Sequence, residues 1–341
     1  MKMSNYVRED LSETGDPDRE VLLAWMDRAK EDESVVFVGA DSIWYLLDRH
    51  DKTLKPWFRS DPDRMRRVVM CGIQEANAAL VSAGLAAEGF KVYWPQAGGW
   101  GAWLYERAYQ MIAYSICIER YNVTMVGGAT GLGWGPTHQN LRDIATFSAI
   151  PNMIVTAPAD SVEAKKIALF AYKYIGPIYI RAASPAYSSE KMNIIFEDEY
   201  EYHLGKAPVV RDGEDVTVIG MQEWVYRGIL AAEQLAKEGI DVRVIDMSTI
   251  KPIDREAITK AAKETGAIVT AETTNIHGGL GSAVAGVVVE NHPVPMKRFA
   301  IHDLYTPDCC YGPQQDLGLN KYYRQTVEDL AAAVKETVNK K

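Results

Sequence analysis

Three short segments hold most of the side chains that could do chemistry. In Gly72-Ile73-Gln74-Glu75-Ala76-Asn77 one carboxylate stands at the head of Ala78 to Ala87, a stretch crowded with Ala, Gly and Leu. Small residues allow close backbone contact, so Glu75 is expected to be buried, and a buried carboxylate needs a hydrogen-bond partner or a proton. The plainer reading is that Glu75 favours the positive end of a helix. In Gly131-Leu132-Gly133-Trp134-Gly135-Pro136-Thr137-His138-Gln139 a glycine-rich loop ends in a histidine flanked by a hydroxyl and an amide. Such a loop can bring backbone close to a ligand and aim His138 into a cleft at a sheet edge, although a loop imidazole also serves as an ordinary hydrogen-bonding group. Between the two, Gly98 to Tyr109 sets Trp100, Trp103 and Tyr109 beside glycines. Flat rings there could sandwich a heteroaromatic cofactor or pack under a loop.

Positioning these segments calls for strands that end where they begin. Short β-branched runs followed by Gly and then by helical patterns recur along the chain, which reads as α/β with parallel sheets in two doubly wound domains. In the first half, Val35 to Gly39, Val92 to Trp94, Val123 to Val126, Met153 to Thr156 and Ile178 to Ile180 are the expected strands. The acidic stretch between Ala186 and Gly205 marks a connection. That places a first domain at 1–190 and a smaller one at 205–341. The second contains expected strands at Val216 to Gly220, Val242 to Ile245, Ile268 to Thr270 and Val294 to Ile301, with a helix at Tyr226 to Gly239.

Composition narrows the function classes. The chain has 341 residues, enough for two cores, and 47% hydrophobic content suits a globular protein. A formal net charge of -9 without a Lys or Arg block argues against nucleic-acid or anionic-membrane partners. The polar, acidic start lacks the pattern of a secretory signal, and no apolar run is long enough to cross a bilayer. The four cysteines, Cys71, Cys117, Cys309 and Cys310, follow neither disulfide-framework nor zinc spacing, so a reduced, cytoplasmic setting is expected. His50, His203, His292 and His302 are scattered without metal-ligand spacing and receive no role. Gly279-Leu280-Gly281-Ser282-Ala283 lacks the third glycine of a dinucleotide fingerprint, and structural use at a helix start fits it better.

Together the three segments resemble the transketolase family. There Gly-Ile-x-Glu-x-Asn precedes an aromatic stretch, a Gly-Pro-Thr-His-Gln motif, Ile-Pro-Asn and Pro-Ala-Asp. This chain carries Glu75, the aromatic stretch, Pro136 to Gln139, Ile150 to Asn152 and Pro158 to Asp160 in that order. The likeness runs on through Thr249 to Asp254 and Gly278 to Ser282, covering roughly Arg19 to Ile301. It implies a pyrimidine-binding domain followed by a transketolase C-terminal domain, with thiamine diphosphate and Mg2+ as cofactors. Glu75 would hydrogen-bond the aminopyrimidine, Trp100, Trp103 or Tyr109 would stack on it, and His138 and Gln139 would meet the substrate. The family's diphosphate and metal site, a Gly-Asp-Gly motif with a later Asn, does not occur here. The resemblance therefore implies the C-terminal chain of a split enzyme, active with an N-terminal partner subunit, two copies of each, and holding no metal ligand of its own.

Three departures bear on substrate. Trp134 stands where the family carries a carboxylate, the histidine expected near Val126 and Gly127 is missing, and Ser184 replaces an arginine that grips phosphate. Arg19 and Arg181 remain as anion contacts, and a small-molecule substrate other than an ordinary sugar phosphate is expected. The alternative is the β subunit of a 2-oxo acid dehydrogenase or a related acyl-transferring enzyme, which shares the architecture.

Overall fold

The computed structural model describes residues 3–40, 43–96, 103–128, 140–183, 192–305 and 320–341, apart from the side chains of Gln96, Trp103 and Leu104. In chain order the strands are β1 (Thr14–Gly15), β2 (Val35–Gly39), β3 (Val68–Met70), β4 (Lys91–Gln96), β5 (Val123–Gly127), β6 (Ile154–Thr156) and β7 (Ile178–Arg181). They continue with β8 (Met192–Asn193), β9 (Val209–Arg211), β10 (Val216–Gly220), β11 (Val242–Asp246), β12 (Thr249–Lys251), β13 (Ile268–Asn275) and β14 (Met296–Ile301). A seven-stranded sheet has the order β12-β6-β7-β5-β4-β2-β3, and a five-stranded sheet the order β14-β13-β10-β11-β9. Both are parallel except at one edge, where β12 runs antiparallel to β6 and β9 to β11. The pair β1 and β8 forms a small ribbon.

Residue choice explains the central strands. β2 (VVFVG), β5 (VTMVG) and β10 (VTVIG) are buried at every position, as expected where helices cover both faces of a parallel sheet. Helix starts are equally local. Asp16 caps helix Pro17–Glu31 by accepting from the Arg19 N–H, with Pro17 in the first turn. Asp160 does the same for helix Ser161–Lys173, and Thr326 and Asp329 form a capping box before helix Val327–Val338. Among the described residues, no helix is long and apolar enough to cross a membrane.

Every expected strand is present, with boundaries within two residues except at β13, which runs five residues past Thr270. The expected helix at Tyr226 to Gly239 begins earlier and spans Glu223–Ala236. Five strands lay outside the sequence reading: β1 and β8, the two-residue ribbon, and β3, β9 and β12, each of three residues and each at the edge of a larger sheet. β12 follows the second-half strand β11, yet it joins the seven-stranded sheet, pairing Thr249 with Thr156 and Lys251 with Val155.

The chain steps from β2 outward to β3, then crosses back to lay β4 on the other side of β2. This creates a switch point between β2 and β4 at the carboxyl edge of the sheet, where α/β proteins commonly bind ligands. Register aligns that edge: Gly39 pairs with Met70, Gln96 with Gly127, and Gly127 with Arg181. Tyr105 pins it from beneath. Its buried ring stands edge-on to Trp94 at 4.8 Å, and its hydroxyl donates to the Trp94 carbonyl (2.5 Å) while accepting from the Val126 N–H (3.0 Å). One ring of the aromatic segment is thus core. Tyr105→Phe leaves a buried N–H and carbonyl short of a partner, and urea unfolding should show a loss of about 1–3 kcal/mol; an unchanged midpoint and slope would refute this role.

Candidate functional site

Glu75 sits where the edge strand β3 turns into a helix. The Cys71 N–H extends the β2–β3 pairing to the Gly39 carbonyl (2.8 Å), and Gly72 then reverses the chain with φ 69°, in the left-handed region that glycine tolerates. Glu75 is the first residue of helix Glu75–Ala87 and is 5% exposed. Its Oε1 lies 3.5 Å from Nη1 of Arg107, whose side chain is half in solvent. Ala78, Ala79, Ser82 and Ala83 form the buried face of the helix and let it lie close against the π-helical turn Ile112–Cys117. The small-residue run therefore does what its composition suggests: it brings a carboxylate, carried at the positive end of a helix, down onto the sheet.

Exposed apolar side chains occur on the elements that carry and flank this carboxylate. Met70, Ile73 and Leu80 are exposed on β3, the turn and the helix, with Tyr114 and Ile118 exposed on and just beyond the π-helical turn. A cluster of this kind marks an interaction surface more often than a solvated face.

A second group of charges lies at the first turn of helix Pro17–Glu31. The Asp18 N–H donates to the Ala183 carbonyl (3.3 Å), and a Cβ at Gly128 would lie 3.4 Å from Asp18 Oδ2. Asp18 thus touches the ends of β5 and β7, directly before the segments that carry His138 and Ser184. Its carboxylate pairs with His50 Nε2 at 3.2 Å, and both side chains are almost fully buried. Arg19 donates from Nε to the His50 carbonyl (3.3 Å) and from Nη1 to Glu20 (2.9 Å), leaving a part-exposed guanidinium. Burial, reinforced by the charge of Asp18, pushes the Asp16 carboxyl up. Sequence reading gave His50 no role. The cap at Asp16 and Pro17 fixes Asp18 in a helical turn, but nothing in the sequence marks a histidine 32 residues later as its partner.

Arg181 departs from its expected role as an anion contact. It is wholly buried at the end of β7. Its Nε donates to both oxygens of Asp143 (2.9 and 3.2 Å), Nη2 to the carbonyls of Asn140 (2.7 Å) and Thr273 (3.1 Å), and Nη1 to Gln222. Gln222 returns a bond to the Arg181 carbonyl (3.0 Å) and holds a left-handed φ of 52° to do so. A guanidinium engaged at all three nitrogens ties the two sheets together and is not presented to a ligand.

Tyr109 is half-buried against the core beside the same helix. The other expected site residues, Trp100, Trp134, His138, Gln139 and Ser184, and the side chain of Trp103, lie outside the described residues; their segments follow directly on the ends of β4, β5 and β7. The glycine motif after β13 is structural: Glu272 accepts from the N–H groups of Leu280 (2.8 Å) and Gly281 (2.7 Å) at the start of helix Leu280–Asn291. Among the described residues no three His, Cys, Asp or Glu side chains are grouped to hold a metal ion.

Comparison with known proteins follows the same division. The model of the transketolase pyrimidine-binding domain matches residues 20–189, and that of the transketolase C-terminal domain matches 205–329. The 6-deoxy-6-sulfo-D-fructose transketolase subunit of a Clostridium species is 33% identical over 93% of this chain and 92% of its own length. An apulose-4-phosphate transketolase subunit of Phocaeicola vulgatus is 35% identical over 82% of this chain and 85% of its own. Among solved structures, a split-gene transketolase, an inactive β4 tetramer, superposes with a TM-score of 0.82 at 29% identity, covering 96% of this chain and all of that one. A transketolase from Pichia stipitis shares the fold at 17% identity, with a TM-score of 0.73 over 98% of this chain and 47% of its own.

Removing the charge of Arg181 while keeping its length isolates its contribution. Arg181→Met strands Asp143 without its buried counter-charge and should lower stability by about 3–5 kcal/mol in denaturant titrations. A loss below about 1 kcal/mol would mean that water or another cation replaces it.

Proposed function

The chain belongs to the transketolase family, and from that premise we propose that it forms the pyrimidine-binding half of a thiamine-diphosphate site completed by an N-terminal partner chain. It is the C-terminal subunit of a ketol-transferring split transketolase, a transferase that acts with that partner. In our reading two copies of each chain assemble in the cytoplasm, and the partner holds the diphosphate and Mg2+. The carrying observation is Glu75: a carboxylate 5% exposed, at a helix N-terminus, beside the switch point of the sheet.

These residues fit the pyrimidine end of the cofactor. When bound, thiamine diphosphate supplies the carbon that attacks the ketose carbonyl and holds charge as the two-carbon unit leaves its donor. Glu75 accepts from, or donates to, a ring nitrogen, in surroundings where a hydrogen bond gains strength from the low local dielectric. Arg107 braces the carboxylate from the solvent side. Tyr109, with Trp100 and Trp103 on the same segment, packs the flat ring. His138 and Gln139 meet the substrate's oxygens, and Arg19, next along the helix from Asp18 and part-exposed, takes a charged or hydroxylated end of it.

The substrate we infer is a ketose other than the common sugar phosphates. Trp134 and Ser184 stand where a carboxylate and an arginine would bind such a sugar, and Arg181 is engaged in the fold. The similarity to a subunit acting on 6-deoxy-6-sulfo-D-fructose supports this direction. Relatives named as transketolase subunits favour ketol transfer over the acyl-transferring alternative. The exposed apolar side chains around Glu75 support a partner seated there. So does the inactivity of the similar β4 assembly, which fits a chain that needs an unlike partner.

The test uses this chain co-purified with its candidate partner, cofactor and Mg2+. Glu75→Gln should lower ketol transfer by about 100-fold or more, the range of positioned acid–base groups, while the complex still forms. Offered xylulose 5-phosphate, 6-deoxy-6-sulfofructose and pyruvate in turn, the wild-type complex should use the sulfosugar in preference. Full activity of Glu75→Gln would remove the catalytic assignment, and preference for xylulose 5-phosphate would remove the substrate reading.

A further inference from the structure

A pair of buried acids lies on the seam between the two sheets. Glu163, in helix Ser161–Lys173, and Asp246, at the end of β11, are both 0% exposed. Glu163 accepts from the Ala159 N–H (2.8 Å), Ser248 Oγ (2.7 Å) and the Tyr200 hydroxyl (2.9 Å). Neither oxygen of Asp246 receives an N–H or O–H from a described hydroxyl, amide or cationic group. The group it faces is Glu163, whose Oε1 accepts from Ser248, two residues along the chain from Asp246. No ion pair among the described residues includes either carboxyl.

The surroundings offer no other way to settle two negative charges. Asp160, at the cap of the same helix, already accepts from the N–H groups of Glu163 (2.8 Å), Ile195 (2.6 Å) and Phe196 (2.8 Å), and its charge opposes ionisation of the pair. The remaining titratable groups facing it are the phenols of Tyr200 and Tyr202, from the connection between the sheets, and of Tyr6, from the N-terminal segment. All are neutral and cannot balance charge. Two carboxyls in contact at low dielectric do not both ionise, and the titration belongs to the pair.

We propose that Glu163 and Asp246 share a proton that latches the two domains together, and that loss of this proton in alkaline solution drives the seam apart. The latch sits beside other seam contacts: the Ala157 N–H donates to the Ser248 carbonyl (2.7 Å), and β12 pairs with β6 immediately after it. Burial pushes both carboxyls up, and at Asp246 the charge of Glu163 pushes in the same direction. The direction of the pH effect follows. The unfolded chain gives up both protons near the ordinary carboxylate range of about pH 4, whereas the folded chain retains at least one. Above that range the folded state binds more protons, so stability is fully present below it and is lost as pH rises through the raised values.

The test uses the full chain. Infrared difference spectra at pH 7 between wild type and Asp246→Asn should show a protonated-carboxyl band in the wild type that the variant lacks, with Glu163→Gln giving the same loss. Between pH 5 and 9 the folding equilibrium of the wild type should fall by up to tenfold per pH unit relative to Asp246→Asn. Absence of any protonated-carboxyl band from the wild type at pH 7 overturns the proposal without reference to a variant. So does a pH dependence of Asp246→Asn parallel to that of the wild type.

Discussion

Arg181 occupies the last position of β7, where the carboxyl edge of one sheet meets the loops of the other, and its guanidinium reaches Asp143 and Asn140 on one side and Gln222 and Thr273 on the other. A charge this deep survives only with its counter-charge and hydrogen bonds in place, so the arrangement is close to all or none. Its consequences run to the functional edge. Arg181 is the register partner of Gly127, and Gly128 beyond it rests against Asp18. Fixing the guanidinium therefore fixes the point from which the segment bearing His138 departs. Asp18, held by His50 and by the Ala183 carbonyl, secures the same point from the first helix.

The motifs of the second half make sense as seam chemistry. Thr249 to Lys251 crosses to add an edge strand to the first sheet, and Lys251 donates to the carbonyls of Ser148 (2.9 Å) and Ile150 (2.5 Å). Gly279 leaves room for Glu272, whose carboxylate takes the N–H groups that a bound anion would otherwise occupy, and a Cβ there would collide with it; a Cβ at Gly281 would instead meet Thr270 and Arg298. The second domain thus braces the first and keeps its own helix N-terminus satisfied from within.

The central strands and the burial of Glu75 are legible in the sequence. Central strands announce themselves because burial on both faces favours runs rich in Val and Ile, and Glu75 announces its burial because Ala78, Ala79, Ser82 and Ala83 leave no bulk on its side of the helix to hold it away from the sheet. Edge strands do not: β3, β9 and β12 are three residues long, and β9 and β12 end in Arg or Lys, so neither length nor pattern separates them from loops. Arg181 was misread for a related reason. An arginine at a strand end looks the same in sequence whether it meets a substrate or a buried aspartate, and its partners are scattered from Asn140 to Thr273. The Asp18–His50 pair was missed because contact between residues so far apart is a property of the fold.

The placement of Glu75 ties assembly to chemistry. The carboxylate itself is covered, but the apolar side chains beside it, Met70, Ile73, Leu80, Tyr114 and Ile118, are not. Side chains of this size each gain about 1.5–3 kcal/mol when fully removed from water, so on the reading proposed above this face would give a partner much of its binding energy. The same event displaces water from around Glu75 and Arg107, and a hydrogen bond between the carboxylate and a ring nitrogen strengthens as the local dielectric falls. On the reading proposed above, the partner that brings the diphosphate site also creates the medium in which Glu75 can work. The lone chain then carries that carboxylate, already 5% exposed, at its helix start, and lacks the partner that brings the diphosphate site.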